Sequence, residues 1–286
     1  MTGLKNRKVE TAIYWLMRGV TYFIVLVIAY IVFDILKNGL PAISWKFLSG
    51  YPRRSGSEGG IFPAIVGTFY LVTVTIIIAL PLGMAAAIYL SEYAKQDRYT
   101  RLIRLAIITL SGVPSIVFGL FGLGVFVLFL HFGASILAGS LTLASMILPT
   151  IIVSSEEALR AVPQSLREGS IALGATKWET IYKNVLPYSI PGMLTGSILG
   201  IGRAAGETAP ILLTVAAFYL PRLPHSIFDQ VMALPYHLYV LATQLPDVEK
   251  VRPLQYGTAL VLLCLVLGMS LTAIVMRSYF RKKYRW

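Results

Sequence analysis

From Ile61 to Leu90 the chain runs for 30 residues without an Asp, Glu, Lys or Arg. An apolar run of this length points to a membrane-spanning helix. A chain in hydrocarbon must satisfy every backbone amide and carbonyl internally, and a helix of about 20 residues does so. As a straight helix the run would measure about 45 Å, so it must tilt, bend at Pro81 or project from the bilayer. Five further runs qualify: Trp15 to Leu36, Ala106 to Leu130, Ile136 to Val153, Ile190 to Ala217 and Thr258 to Met276. Together they predict an all-α integral membrane protein with six transmembrane helices. Composition agrees: of 286 residues 56% are hydrophobic and only 13% charged, far more apolar than a soluble domain.

The net charge of +12 could suggest a nucleic-acid partner, but the basic residues lie at the edges of the apolar runs and form no single basic domain. They read as a topology signal. With a cytoplasmic N-terminus, 17 Lys and Arg fall inside, including Lys5, Arg7, Lys8 and Arg18, and 7 fall outside. This excess predicts a multi-pass protein of the cytoplasmic membrane with both termini in the cytoplasm. Trp15, Tyr22 and Trp286 are candidate interfacial anchors, and Asp34 reads as an interfacial residue at the outer end of the first span. The basic start resembles a signal peptide, but its apolar run continues to Leu36 without a small-residue cleavage site, so it reads as a retained anchor.

No phosphate loop, zincin motif or nucleophile elbow is present. His131, His225 and His237 fall in outer loops without metal-site spacing, and the lone Cys264 offers neither a disulfide framework nor a Cys-based metal site. Energy for any transport must therefore come from a partner or an ion gradient.

The longest cytoplasmic loop, Ser154 to Pro187, reads as two helical pieces meeting at a corner. Pro163 can open the first piece, which runs to Leu173, and Gly174 can cap it. Thr176 and Glu179 have the spacing of a capping box for the second, and Pro187 ends the pattern. Pattern alone admits two readings: an apolar knob that docks on another protein, or a hairpin packed on its own membrane domain.

The stretch GIGRAAGETAP, Gly200 to Pro210, places Arg203 and Glu207 inside the fifth run. Gly192, Gly196, Gly200 and Ala204 recur every fourth residue, a ladder that lets another helix approach closely. A charge near mid-membrane costs several kcal/mol unless it finds a partner or water. Arg203 and Glu207 are i and i+4, on a face neighbouring the ladder, and could neutralise each other as an intrahelical ion pair. Alternatively they line an anion path, because a guanidinium fork takes two phosphate oxygens and a carboxylate can accept the P–OH proton of hydrogen phosphate, which sulfate lacks. Pro114, Gly119, Gly122 and Gly124, like Pro81 and Gly83, read as kink or close-packing positions. The outer segment His225 to Asp247 is partly amphipathic and is expected to lie on the outer surface.

The cytoplasmic loop also carries a resemblance. Glu168, Gly174, Leu186 and Pro187 fall on the spacing of the EAA motif of ABC importer permeases. The chain departs from that motif at Gly169 and Ser170, where alanines are usual, and at Asn184, where isoleucine is usual. EGSIALGATKWETI, SGVPSIVFGLFGLG and GRAAGETAPILLT, in this order, resemble phosphate-specific permeases of that class. The resemblance implies a type I ABC importer permease fold, with residues 1–60 as an N-terminal helix and outer loop and 61–280 as the permease domain. It makes loop 154–187 the coupling helix, with Glu168, Gly174, Ala175, Thr176, Leu186 and Pro187 coupling to the ATPase. Arg203 and Glu207 become the substrate pathway. The implied partners are a related permease, two cytoplasmic ABC ATPases and an external phosphate-binding protein. ATP and Mg belong to the ATPase, with no cofactor in this chain. Phosphonate, sulfate and molybdate remain alternative substrates. An ion-coupled secondary carrier and a signalling scaffold remain alternative classes.

Overall fold

The computed structural model of the chain describes residues 2–56, 58–244 and 248–283, so Trp286 and the end of the outer segment at Leu245–Asp247 lie outside it. In chain order the helices are α1 (Thr2–Gly39), α2 (Trp45–Ser49), α3 (Phe62–Ile88), α4 (Arg98–Ser111), α5 (Ser115–Gly122) and α6 (Ile136–Arg160). They continue with α7 (Gln164–Ala172), α8 (Lys177–Thr180), α9 (Leu186–Gly206), α10 (Ala209–Thr214), α11 (Leu234–Thr243) and α12 (Val248–Lys283). A two-stranded antiparallel hairpin, β1 (Pro52–Arg53) and β2 (Glu58–Gly59), lies between α2 and α3. Five helical segments are long and apolar enough to cross a membrane, and a bent pair makes a sixth.

The centre is α6, packed between α3 and α9; α12 packs on the far side of α9, and α1 touches α12. Among lipid tails the hydrophobic effect does little to join apolar helices, so close approach of small residues matters more. The glycine ladder provides it. A methyl group at Gly192 would overlap Ala158, one at Gly196 would overlap Ser154, and Gly200 faces Ile147 and Ile151. Gly83 of α3 meets Ile151 in the same way, and Gly122 meets Thr142. A bulky side chain at Gly196 would overpack this seam, a change that costs about 1–3 kcal/mol.

Proline positions explain where the helices depart from simple rods. The second run is one continuous helix through Pro81, extended by a π-helical turn at Tyr89–Tyr93, so it is not broken at Pro81. The third run is not one helix: α4 and α5 meet at 104°, with Pro114 in extended backbone at the corner. Proline disfavours helical backbone at the residue before it. The fifth run does not reach Ala217 as one helix either. α9 stops at Gly206, because Pro210 lacks an N–H and its ring would clash with the Gly206 carbonyl in a continuing helix. Pro187, by contrast, ends nothing. A wide π-helical turn at Ile181–Val185 carries α8 directly into α9, giving one helix from Lys177 to Gly206.

The outer segment also departs from expectation. α11 is sunk into the fold, with Leu234, Tyr236, His237, Val240 and Leu241 buried against α12 and α3. His237 lies 2% exposed, its Nδ1 has no partner among the described residues, and Gly56 of the hairpin packs against its ring. Burial holds its pKa down from 6.5 to about 4. Between these values the unfolded chain binds the proton that the folded chain refuses, so stability falls as pH falls through this window. Thermal unfolding of the solubilised protein should show that slope, and His237→Leu should flatten it; an unchanged slope in the variant would assign acid sensitivity elsewhere.

Candidate functional site

Arg203 lies in the last turn of α9, where a cation also favours the helix dipole. Its depth follows from its neighbours. Gly200, one turn earlier, faces Ile147 and Ile151 near the midpoint of α6, a 25-residue helix about 37 Å long. The break at Glu207 and Thr208 follows about two turns, or about 11 Å, further along, still inside the apolar bundle. Non-helical backbone at that depth is tolerated where protein or a wet cavity covers it.

The i, i+4 pairing of Arg203 and Glu207 survives at the very end of the helix, where Glu207 is the C-cap residue with φ −75 and ψ 135, turning the chain out of the helix after it. The two side chains meet through a single long contact, Nε to Oε1 at 3.5 Å, and are 35% and 18% exposed. Neither terminal guanidinium nitrogen has a partner among the described residues. Gly202 and Gly206, beside them on α9, face open space. Beyond the break, Gly119 of α5 packs on Ala209 and Pro210, so the two interrupted runs brace each other. A guanidinium with two free donors is therefore presented on the uncovered side of a broken helix.

The cytoplasmic loop has the expected corner. Leu173 ends α7, and Gly174 adopts φ +87, left-handed backbone that suits glycine. Thr176 opens α8 with a complete capping box: its hydroxyl accepts from the Glu179 amide, and Glu179 accepts from the Thr176 amide. Leu173 is 90% exposed at the tip, flanked by exposed Ile171, Trp178 and Tyr182. An apolar tip held in water by a rigid corner suits docking on a partner.

The expected coupling residues divide into two groups. Gly174, Ala175 and Thr176 form the corner and Glu168 is exposed within α7, whereas Leu186 and Pro187 lie at the root of the loop, where Leu186 packs with Ala87, Leu159, Val162, Val185 and Met193. Two departures from the usual motif turn out to be partners. Asn184 Nδ2 donates to Ser170 Oγ at 2.8 Å, and Thr180 Oγ1 donates to the same oxygen at 3.0 Å. A polar contact thus joins the two legs of the loop.

Sequence reasoning missed the loop's attachment to the membrane helices. Arg167 Nη2 donates to Glu92 Oε1 at 2.9 Å and to the Leu159 carbonyl at 2.8 Å, and Nη1 donates to the Val162 carbonyl. Both ionic side chains are nearly buried, at 14% and 10% exposure. From the other leg, Lys177 Nζ sits 4.9 Å from the centre of the Tyr93 ring. Both legs therefore grip the π-helical end of α3. Nearby, Glu156 of α6 accepts from Arg104 of α4 and from Arg160. The 75 residues between Glu92 and Arg167 left no local signal of their pairing.

This arrangement, a bundle of long apolar helices with one interrupted helix and a projecting helical loop, is that of a type I ABC importer permease. The chain belongs to the family described as "Binding-protein-dependent transport system inner membrane component", which matches residues 79–286. It is 34% identical to the probable ABC transporter permease protein YqgI of Bacillus subtilis, over 97% of this chain and 98% of that one. It is 38% identical to the phosphate transport system permease protein PstA 1 of Mycobacterium tuberculosis H37Rv, over 79% of this chain and 72% of that one. A probable PstA of Methanocaldococcus jannaschii is 34% identical over 94% and 95% of the two chains. Among solved structures, a bacterial alginate ABC importer aligns with a TM-score of 0.67 at 13% identity, over 98% of this chain and 99% of that chain. The MetNI methionine ABC transporter aligns at 0.56 and 16% identity, over 77% and 94%. These two share the fold.

Proposed function

We propose that this chain is the permease subunit of an ATP-driven importer that carries inorganic phosphate across the cytoplasmic membrane by alternating access. The observation that carries the reading is Arg203, held at a helix break inside an apolar span with both terminal guanidinium nitrogens unpartnered among the described residues, on the uncovered side of α9. Similarity to phosphate transport permeases supports phosphate as the anion. Both termini lie in the cytoplasm in this reading, which agrees with the Lys and Arg distribution.

The uncovered face of α9 fits a pathway closed by a related second permease. The apolar tip at Leu173 fits a groove on one of two cytoplasmic ABC ATPases, which bind ATP and Mg. ATP binding draws the ATPases together, the loop moves with them, and the broken helices open outward to receive phosphate from an external binding protein. Hydrolysis reverses the opening. Arg203 then offers its fork to two phosphate oxygens, and Glu207 can accept the P–OH proton.

Labelled phosphate uptake into proteoliposomes holding the complete complex tests this reading. Uptake should require ATP and binding protein; uptake driven by an ion gradient without ATP would replace the importer with a secondary carrier, and preference for sulfate or molybdate would replace the substrate. The loop has its own test. Gly174→Val forces a β-branched residue into left-handed backbone, a strain of about 1–3 kcal/mol, and should leave ATP hydrolysis while depressing uptake. Gly174→Asn, which tolerates that conformation, should restore uptake. Equal uptake by all three proteins would remove the corner from coupling.

A further inference from the structure

Arg18 of α1 sits inside an aromatic cluster that the transport reading does not use. Its Nε donates to Tyr22 Oη and its Nη1 to Tyr14 Oη, both at 3.2 Å. Its charge also lies 5.5–5.8 Å from the ring centres of Tyr14, Trp15 and Tyr22. No carboxylate pairs with Arg18 among the described residues. Each phenol oxygen accepts from the guanidinium, which leaves its own proton to donate. Two phenols and Arg18 Nη2 therefore form a set of donors without an acceptor, suited to the two free oxygens of a phosphodiester.

Depth identifies what that phosphodiester belongs to. Asn38, hydrogen-bonded to Asp34, which in turn accepts from Tyr256 of α12, marks the outer end of α1. Twenty helical residues separate Asn38 from Arg18, about 30 Å or one hydrocarbon thickness. Arg18 thus lies at the inner headgroup boundary. None of the apolar window of α1 is buried within the chain, and Ile13, Met17 and Val25 present exposed apolar surface around the cluster. Lys5, Arg7 and Lys8 precede it in sequence. We propose that Tyr14, Trp15, Arg18 and Tyr22 bind the headgroup phosphate of an anionic glycerophospholipid of the inner leaflet, its acyl chains lying along α1.

The test uses the assembled transporter in nanodiscs, with Trp45, Trp178 and Trp286 replaced by Phe so that Trp15 alone reports. Brominated phosphatidylglycerol should quench Trp15 more strongly than brominated phosphatidylcholine. Arg18→Gln should reduce that preference about fivefold, the order expected for one basic contact at an anionic surface. Tyr14→Phe with Tyr22→Phe should reduce it while leaving the charge in place. Equal quenching by both lipids would overturn the proposal. So would displacement by excess inorganic phosphate, which would make the site one for a soluble anion. Loss of the copurifying second permease in Arg18→Gln would also overturn it, by assigning the cluster to a protein interface.

Discussion

Arg203→Ala is expected to lower phosphate uptake about a hundredfold, the order expected when one partner of a desolvated, charge-assisted contact is removed. Binding-protein docking and ATP hydrolysis should survive, because the polar contact of Arg203 among the described residues is with Glu207, at 3.5 Å. Arg203→Lys keeps the charge but loses the planar fork and should retain about a tenth of the uptake, equivalent to about 1.4 kcal/mol. Glu207→Gln separates two roles for the carboxylate. If Glu207 mainly holds Arg203, the amide leaves the arginine freer and uptake is maintained. If Glu207 accepts the phosphate proton, uptake falls and discrimination against sulfate weakens. The measurement is initial uptake of each labelled anion at saturating binding protein. Full uptake by Arg203→Ala would remove the proposed site.

The second large effect lies at the Arg167–Glu92 clasp. Removing one partner of a nearly buried pair leaves an uncompensated charge, at about 3–5 kcal/mol, whereas replacing both with apolar residues is often neutral. Arg167→Ala should therefore destabilise the protein and lower its yield from the membrane. The double replacement Arg167→Leu with Glu92→Leu should fold and assemble yet release the loop from the end of α3. Its expected phenotype is ATP hydrolysis near the normal rate with uptake reduced about tenfold or more, a loss of about 1.4 kcal/mol of coupling. Coupled uptake by this double variant would assign force transmission to the root of the loop, where Leu186 packs with Leu159 and Val162.

Features carried by local chemistry were legible in the sequence. The capping box at Thr176 and Glu179, the left-handed glycine at 174 and the close approach at Gly192 and Gly196 each follow from a few adjacent residues. Proline was harder to read, because its effect depends on what its neighbours can adopt. Pro187 is absorbed by a π-helical turn and Pro81 by a continuous helix, whereas Pro114 and Pro210 accompany real breaks. The i, i+4 spacing of Arg203 and Glu207 does bring the two side chains to 3.5 Å, but the spacing did not show that the helix ends at Gly206, directly before Glu207. The amphipathic pattern of α11 misled in another way, since its polar residues include His237, buried and with no partner for Nδ1 among the described residues.

By itself the sequence determined the solvent, since runs of about 20 apolar residues must close their hydrogen bonds in helices within lipid. Charge placement and motif spacing added an orientation and a docking corner to that expectation. Only the tertiary structure decided which ends meet: Arg167 with Glu92, Ser170 with Asn184, and Gly119 with Ala209 and Pro210. Contacts between distant segments depend on how close two backbones can come, and a single segment does not encode that distance. The same packing put the break after Gly206 inside the apolar bundle and left Arg203 on the uncovered side of α9.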